Sequence, residues 1–220
     1  MACCLLGYLR LAIIFNSLGI TMLEKHTDTT YPIDQLFLKR WSGIAFDPNR
    51  PLEDSVIKQM IEAARWAPSC FNEQPFRFIV ASKVNHPKQW QAMFDTLMEL
   101  NQKWCKAVPV LIAVCTKEKF SHNQQCNPAA AYDAGAAAIS ACLQASQQGV
   151  MTHQMAGFSE DKLRESFQVP EGYQIISVIA AGYQLPENNI PEAFKQKEFA
   201  PRMRKPLESI CAFGDPSNIW

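Results

Sequence analysis

The chain carries no surplus of charge: 21 Lys and Arg stand against 21 Asp and Glu in 220 residues. Without a broad electrostatic field, and with no Lys/Arg block to make a local one, binding of nucleic acid or of an anionic membrane has nothing to drive it. Eight cysteines are present but form no C-x-x-C pair, and no His-x-x-x-His stands beside them, so a structural zinc site lacks its ligand spacing. Gly-x-Gly-x-x-Gly and Gly-x-x-x-x-Gly-Lys are both missing, which leaves a Rossmann nucleotide site and a P-loop unsupported. Gly-x-Ser-x-Gly and His-Glu-x-x-His are missing too. The four histidines, His26, His86, His122 and His153, lie far apart and have no evident partner, so they read as structural or exposed. No internal repeat is visible. If the protein is an enzyme, a bound group and not a side chain does the hard chemistry.

What is present is an ordinary globular composition, 48% hydrophobic and 19% charged, which excludes disordered, collagen-like and coiled-coil readings. A chain of this size buries roughly 70% of the surface its unfolded form exposes, enough for one domain without staples. Cysteines such as Cys115, at the end of Val110-Leu111-Ile112-Ala113-Val114, behave as small buried hydrophobes and suit a reducing cytoplasm. Residues 1–30 read as an N-terminal extension and 31–220 as the domain. The extension is apolar from Ala2 to Met22 yet interrupted by Arg10 and Asn16. Its readings are an extra packed helix, a weak anchor, or an upstream extension with Met22 as the true first residue; a membrane role is disfavoured by the charge near its middle.

Beyond residue 30 the pattern alternates between helix and strand. Leu52, Val56, Ile57, Met60, Ile61 and Ala64 share one helical face, and Trp66-Ala67-Pro68 ends that helix. Phe76 to Val80 is a short strand, followed by a helix carrying Trp90, Met93, Phe94, Leu97 and Met98 on one side. Val108 to Cys115 reads as a central strand buried on both faces. Asn127-Pro128 opens an alanine-rich helix running to Gln148, whose small side chains suit a close helix interface or a dimer seam. Ser159 caps a further helix, Gln174 to Tyr183 is a strand, and the proline-punctuated chain from Leu185 onward reads as an extended tail. The fold class expected is α+β, a mixed, mainly antiparallel sheet flanked by helices.

Three segments look like walls of one site for a planar, anion-bearing cofactor. They are Lys39-Arg40-Trp41-Ser42, the loop Pro68-Ser69-Cys70-Phe71-Asn72-Glu73-Gln74-Pro75-Phe76, and the late Pro201-Arg202-Met203-Arg204-Lys205-Pro206-Leu207. In these, with Asp133-Ala134-Gly135 and Gln154-Met155-Ala156-Gly157-Phe158, the sequence resembles the nitroreductase family of flavin-dependent oxidoreductases over about residues 31 to 212. The resemblance implies FMN held without a covalent bond at the interface of an obligate homodimer with an exchanged C-terminal arm. It places Arg40 on the FMN phosphate, Trp41 beside it, and Ser42 on the phosphate or ribityl chain. Arg204 and Arg202 close on the same phosphate, a planar fork being suited to that oxyanion. Pro68, Ser69, Cys70 and Asn72 reach the flavin from the partner subunit, and Gln154, Met155, Ala156 and Gly157 approach the ring edge.

The implied reaction is ping-pong: NADH or NADPH gives hydride to flavin N5 and leaves, and a small electron-poor acceptor such as a nitroaromatic or quinone follows. No catalytic side chain is required. Trp104, Phe120 and Phe71 are candidates for an apolar wall over the ring, with Lys103 near its edge. Ile44 stands where many relatives carry Lys or Arg near flavin N1 and O2, and Trp41 fills a slot that is often His or Arg. The alternatives are a non-enzymatic flavin-binding protein and a flavin enzyme of the same fold with another reaction, such as reductive dehalogenation. The run Ser209 to Phe213 is expected to form the strand of the exchanged arm.

Overall fold

The computed structural model describes residues 29–219 together with Leu23, Lys25 and Thr27. The apolar stretch Ala2 to Met22, and with it the three readings of the extension, lies outside the described residues. Four strands form one sheet: β1 Phe76–Ser82, β2 Val110–Lys117, β3 Met151–Met155 and β4 Tyr173–Gly182. Their order is β1-β2-β4-β3, and every pairing is antiparallel. Seven α-helices surround the sheet: α1 Gln35–Lys39, α2 Asp54–Arg65, α3 Pro87–Asp95, α4 Glu99–Cys105, α5 Ala130–Gln147, α6 Glu160–Phe167 and α7 Glu192–Phe199.

β2 explains the layering. Its side chains alternate between two apolar layers, Val110, Ile112 and Val114 packing with α2 and α5, and Leu111, Ala113 and Cys115 with α3, α4 and α6. A strand covered on both faces has to be apolar at every position, as Val110 to Cys115 is. A bulge between Val114 and Cys115 shifts its register against β4.

α5 lies close to the sheet because Ala134, Ala137, Ala138, Ala141 and Ala145 make up its buried stripe. The Asn127 carboxamide accepts from the Ala129 N–H at 3.0 Å at its start. Ser159 caps α6 through the Lys162 N–H, as its sequence position implies.

Four elements differ from the sequence expectation. The helix around Trp90 stops at Asp95 because the Ser159 N–H bonds the Thr96 carbonyl and the Met98 N–H bonds Gly157, which turns the chain into the separate helix α4. Met151–Met155, whose last two residues open the Gln154–Phe158 segment, is an edge strand paired to Val178–Gly182. The tail is not extended throughout, since α7 interrupts it. Residues Leu207–Ser209 form a 3₁₀ turn, and no strand is formed by residues 209–213. Among the described residues no helix is long and apolar enough to cross a membrane.

Glu198 on α7 is the only fully buried carboxylate among the described residues, at 0% exposure. Its Oε1 accepts from the N–H groups of Ile44 (2.5 Å) and Ala45 (3.1 Å), and its Oε2 accepts from the Gln184 carboxamide (2.7 Å). Gln184 in turn accepts from the Leu23 N–H at 2.7 Å. One carboxylate thus joins the tail, the segment after Ser42, the end of β4 and the start of the described chain. Glu198→Ala leaves three buried donors without an acceptor. We expect it to lower unfolding free energy by about 3 kcal/mol or more, measured by urea denaturation, and Glu198→Gln to cost less.

Candidate functional site

Arg40 sits at the C-terminal end of α1 with its side chain half-buried, and its guanidinium lies 3.5 Å from the Ser42 hydroxyl, to which it donates. Arg202 reaches the same segment from the tail, donating to the Leu38 carbonyl and, at 3.2 Å, to the Arg40 carbonyl. Arg204 donates only to the neighbouring Met203 carbonyl. Among the described residues no carboxylate pairs with any of the three. Burial pushes the Arg40 and Arg202 guanidinium pKa values down, and the positive charge of Arg204 pushes both further in the same direction. Clustered cations that penalise one another, with no carboxylate paired to them among the described residues, have the chemistry to accept an anion.

The segment itself is held tightly. A Cβ on Gly43 would lie 2.2 Å from the Met151 sulfur, so a larger residue here would have to displace the Met151 side chain. The Gly43 carbonyl accepts from Nδ1–H of His153 at 2.9 Å, and the His153 ring packs 4.7 Å from that of Trp104. His153 therefore positions the Arg40–Ser42 segment, a role its isolation in the sequence hid. Gln154, exposed on the same strand, donates to the Cys142 sulfur of α5 at 3.6 Å, and Cys142 is close enough to Arg40 for their charges to interact. Ala156 is exposed and Gly157 half-buried, and the Gly157 carbonyl accepts from Met98 N–H and the Asn101 carboxamide, both at 3.0 Å.

Several expected site residues face the interior. Trp41 is 5% exposed, its indole N–H donating to the Leu23 carbonyl while Lys25 lies 4.1 Å over its ring. Met155 is buried against the Cys105 thiol, so only its backbone faces toward Gln154 and Ala156. Trp104, expected as a wall or lid, is a core residue stacked on Phe46 at 5.9 Å. Ile44 is 6% exposed within the same core, so a cation at this position would be buried there and not offered to a ligand.

The loop from Pro68 to Gln74 is built under strain. Phe71, Asn72 and Gln74 all have positive φ, near 52°, 54° and 51°, although none is glycine. Three bonds hold it: the Asp133 carboxylate on α5 accepts from the Cys70 N–H (3.0 Å), the Ser69 hydroxyl accepts from the Gln74 N–H (2.9 Å), and the Gln74 carboxamide donates to the Asn72 side chain (3.0 Å). Pro68 and Asn72 are exposed, and the Phe71 ring stands 82% exposed with its edge toward Phe120 and His122. Glu73 accepts from the N–H and hydroxyl of Ser121, fixing the Phe120–His122 turn beside the loop.

Within one chain the two halves of the candidate site are thus held apart. Asp133 anchors the Pro68–Asn72 loop near the start of α5, while Cys142, nine residues and so about 13 Å along the helix, adjoins Arg40 and Gln154. Along this stretch α5 exposes Tyr132, Gly135 and Ile139, which no described residue covers.

Removing the anchor by Asp133→Ala leaves the Cys70 N–H unpaired. We expect a loss of about 2 kcal/mol in thermal or chemical unfolding and faster amide exchange confined to residues 69–74. Burial also holds the His153 pKa below its ordinary 6.5, outweighing the Gly43 carbonyl that favours the imidazolium. The unfolded chain then takes up the proton first, so this contribution is complete above the ordinary value and is lost as pH falls through the depressed one. His153→Gln keeps a donor for Gly43, and it should flatten the fall in melting temperature between about pH 7 and pH 5; an unaltered acid limb would contradict this role.

Similarity to known proteins follows the same outline. The crystal structure of an oxidoreductase containing FMN superimposes with a TM-score of 0.80 at 33% identity, covering 89% of this chain and 98% of that one. An uncharacterised 15.4 kDa protein of Mycolicibacterium smegmatis is 30% identical over 118 residues, 54% of this chain and 78% of the relative. The major NAD(P)H-flavin oxidoreductase of Aliivibrio fischeri is 24% identical over 94 residues, 43% of each chain. A family profile described as the nitroreductase family matches residues 38–183, which run from α1 through the strained loop and the whole sheet to the end of β4. The chain belongs to the nitroreductase family.

Proposed function

We propose that the protein is an FMN-dependent oxidoreductase that oxidises NADH or NADPH and reduces a small electron-poor acceptor, a nitroaromatic or a quinone. The observation that carries this reading is the cluster of Arg40, Arg202 and Arg204, mutually repelling and without a carboxylate among the described residues, beside the Ser42 hydroxyl. That donor set fits a phosphate dianion. Arg40 and Arg204 would hold it through their guanidinium groups and Ser42 through its hydroxyl. Arg202 ties the tail to the Arg40 backbone and adds its charge. FMN held there would supply two-electron, hydride-transfer chemistry.

The chain's own groups orient and shield. Gln154, Ala156 and Gly157, the first two exposed, offer carboxamide and backbone groups to the polar edge of a planar ring. Pro68, Ser69, Cys70 and Asn72 belong to the second half of the site, which the length of α5 separates from the first. Two copies related by a twofold axis would bring the loop of each against the arginines of the other, with the uncovered Tyr132–Ile139 face of α5 as the seam. In this reading the strain at Phe71, Asn72 and Gln74 holds a loop shape made for a neighbour. The tail beyond Lys205 would pass to the partner as an arm, as a turn and extended chain and not as an added strand.

The purified full chain should be yellow, releasing about one FMN per subunit on denaturation, and should oxidise NAD(P)H with a quinone in steady state. A colourless protein that takes up no added FMN would end this reading, while bound FMN without turnover would mark a flavin-binding protein. Arg40→Ala is expected to weaken FMN retention by tenfold or more, loss of a charge-assisted contact to phosphate costing about 1.5–3 kcal/mol.

A further inference from the structure

We propose that the Gln154 side-chain oxygen accepts a hydrogen bond from N3–H of the isoalloxazine ring, and that Cys142 is the positioning residue that turns the carboxamide that way. This rests on the reading of the protein as an FMN-binding oxidoreductase and names the group that selects the ring at that site.

β3 sets the direction of the side chain. Thr152 and Gln154 stand two residues apart on the strand and so point to one side of the sheet. Their partners on β4, Ala181 and Ile179, belong to the layer that packs with α2 and α5, which makes this the side that α5 covers. From α5, Cys142 meets them, 1% exposed. The Thr152 side chain bonds the Cys142 sulfur, and the Gln154 Nε2–H donates to the same sulfur at 3.6 Å. One buried thiol thus ties two neighbouring side chains of an edge strand to the helix.

The bond does little for stability. Gln154 is exposed, water would satisfy the same N–H groups, and fixing a long side chain costs rotamer freedom. Nor is the thiol there for its reactivity, since burial pushes its pKa up and a thiol so placed is inert. What the bond does is orient. A carboxamide carries its donors on nitrogen and its acceptor on oxygen. With Nε2 engaged by the sulfur, the oxygen is the group Gln154 has left to offer, and no described residue donates to it.

The position of that oxygen and the chemistry of the ring point the same way. Cys142 feels the charge of Arg40, so Gln154 belongs to the half of the site that holds Arg40 and Ser42. The exposed Ala156 and then Gly157 follow it just past the end of β3. On the polar edge of an oxidised isoalloxazine, N1, O2, O4 and N5 are all acceptors, and N3 alone carries a hydrogen. A fixed acceptor oxygen therefore has a single counterpart on that edge. A carboxamide free to rotate could offer its nitrogen to O2 or O4 equally well, and the bond to Cys142 removes that choice.

Equilibrium binding of two flavins to the full-length protein, followed by flavin fluorescence, tests the assignment. The probes are FMN and N3-methylated FMN, which lacks the hydrogen. FMN is expected to bind about tenfold tighter or more. Gln154→Met, of similar length and without an acceptor, should weaken FMN by about three- to tenfold and bring the two affinities together. Cys142→Ala frees the carboxamide and should shrink the preference for FMN about threefold, while Cys142→Ser keeps an acceptor for Nε2 and should restore it. Equal affinities in the unaltered protein, or a preference that survives Gln154→Met, overturn the role of Gln154. The same preference in Cys142→Ala as in the unaltered protein, or the same loss in both Cys142 variants, overturns the positioning role; if Cys142→Ala does not fold, a preference lost in Cys142→Ser does so. A protein that binds neither flavin fails the FMN reading itself and takes this inference with it, a result distinct from one that binds both alike.

Discussion

A carboxylate with no access to water sets the arrangement of everything around the candidate site. Glu198 has to be satisfied where it lies, because an unpaired buried charge is among the most costly defects a fold can hold. Its two oxygens collect three donors from two distant parts of the chain, the Ile44–Ala45 backbone and Gln184 after β4, and Gln184 in turn accepts from the Leu23 N–H. Fixing Ile44 and Ala45 fixes Arg40 and Ser42 just before them. Fixing α7 sets the start of the Pro201–Leu207 segment that carries Arg202 and Arg204. The Arg40–Ser42 segment and the Arg202–Arg204 stretch of the tail therefore share one internal support.

The second support is α5. Its alanines let the helix lie against the sheet and α2 at close range, so that Asp133 reaches the Cys70 N–H and Cys142 meets Gln154. A larger residue along that stripe would push the helix outward and move both ends of it. The same helix holds the two parts of the candidate site apart within one chain. Its length separates the strained Pro68–Gln74 loop from the arginines, and its outer face has apolar residues with nothing over them. Strain in the loop and uncovered apolar surface on the helix are both costs to an isolated chain, and both are removed if a second copy packs against them.

Much of the fold was legible in the order of residues. The unbroken apolar run of β2 means burial on both faces, and the small-residue helix, the Ser159 cap and the strand at Tyr173–Gly182 follow from local pattern. The site motifs could be picked out in the same way, and the structure places the charge of Arg204 within reach of Arg40 and Arg202. What could not be seen there is what depends on partners far away in sequence. Met151–Met155 has no strand-like alternation and becomes a strand because β4 offers an open edge. α3 ends where Gly157 and Ser159 capture its exit. Trp104, Trp41, Met155 and Ile44 have the composition of a ligand wall, but the core needed their volume.

The sequence by itself thus determined the α+β class and the principal elements, because these depend on spacing and side-chain type within short windows. Only the tertiary structure decided that His153 and Glu198 act as internal supports, that the Cys70 and Gln154 segments meet α5 at separate positions, and that Lys25 is tied to the tail. The His153, Glu198 and Lys25 contacts each join residues 100 or more positions apart. Such contacts are set by burial and by the pairing of buried polar groups, which no local pattern records.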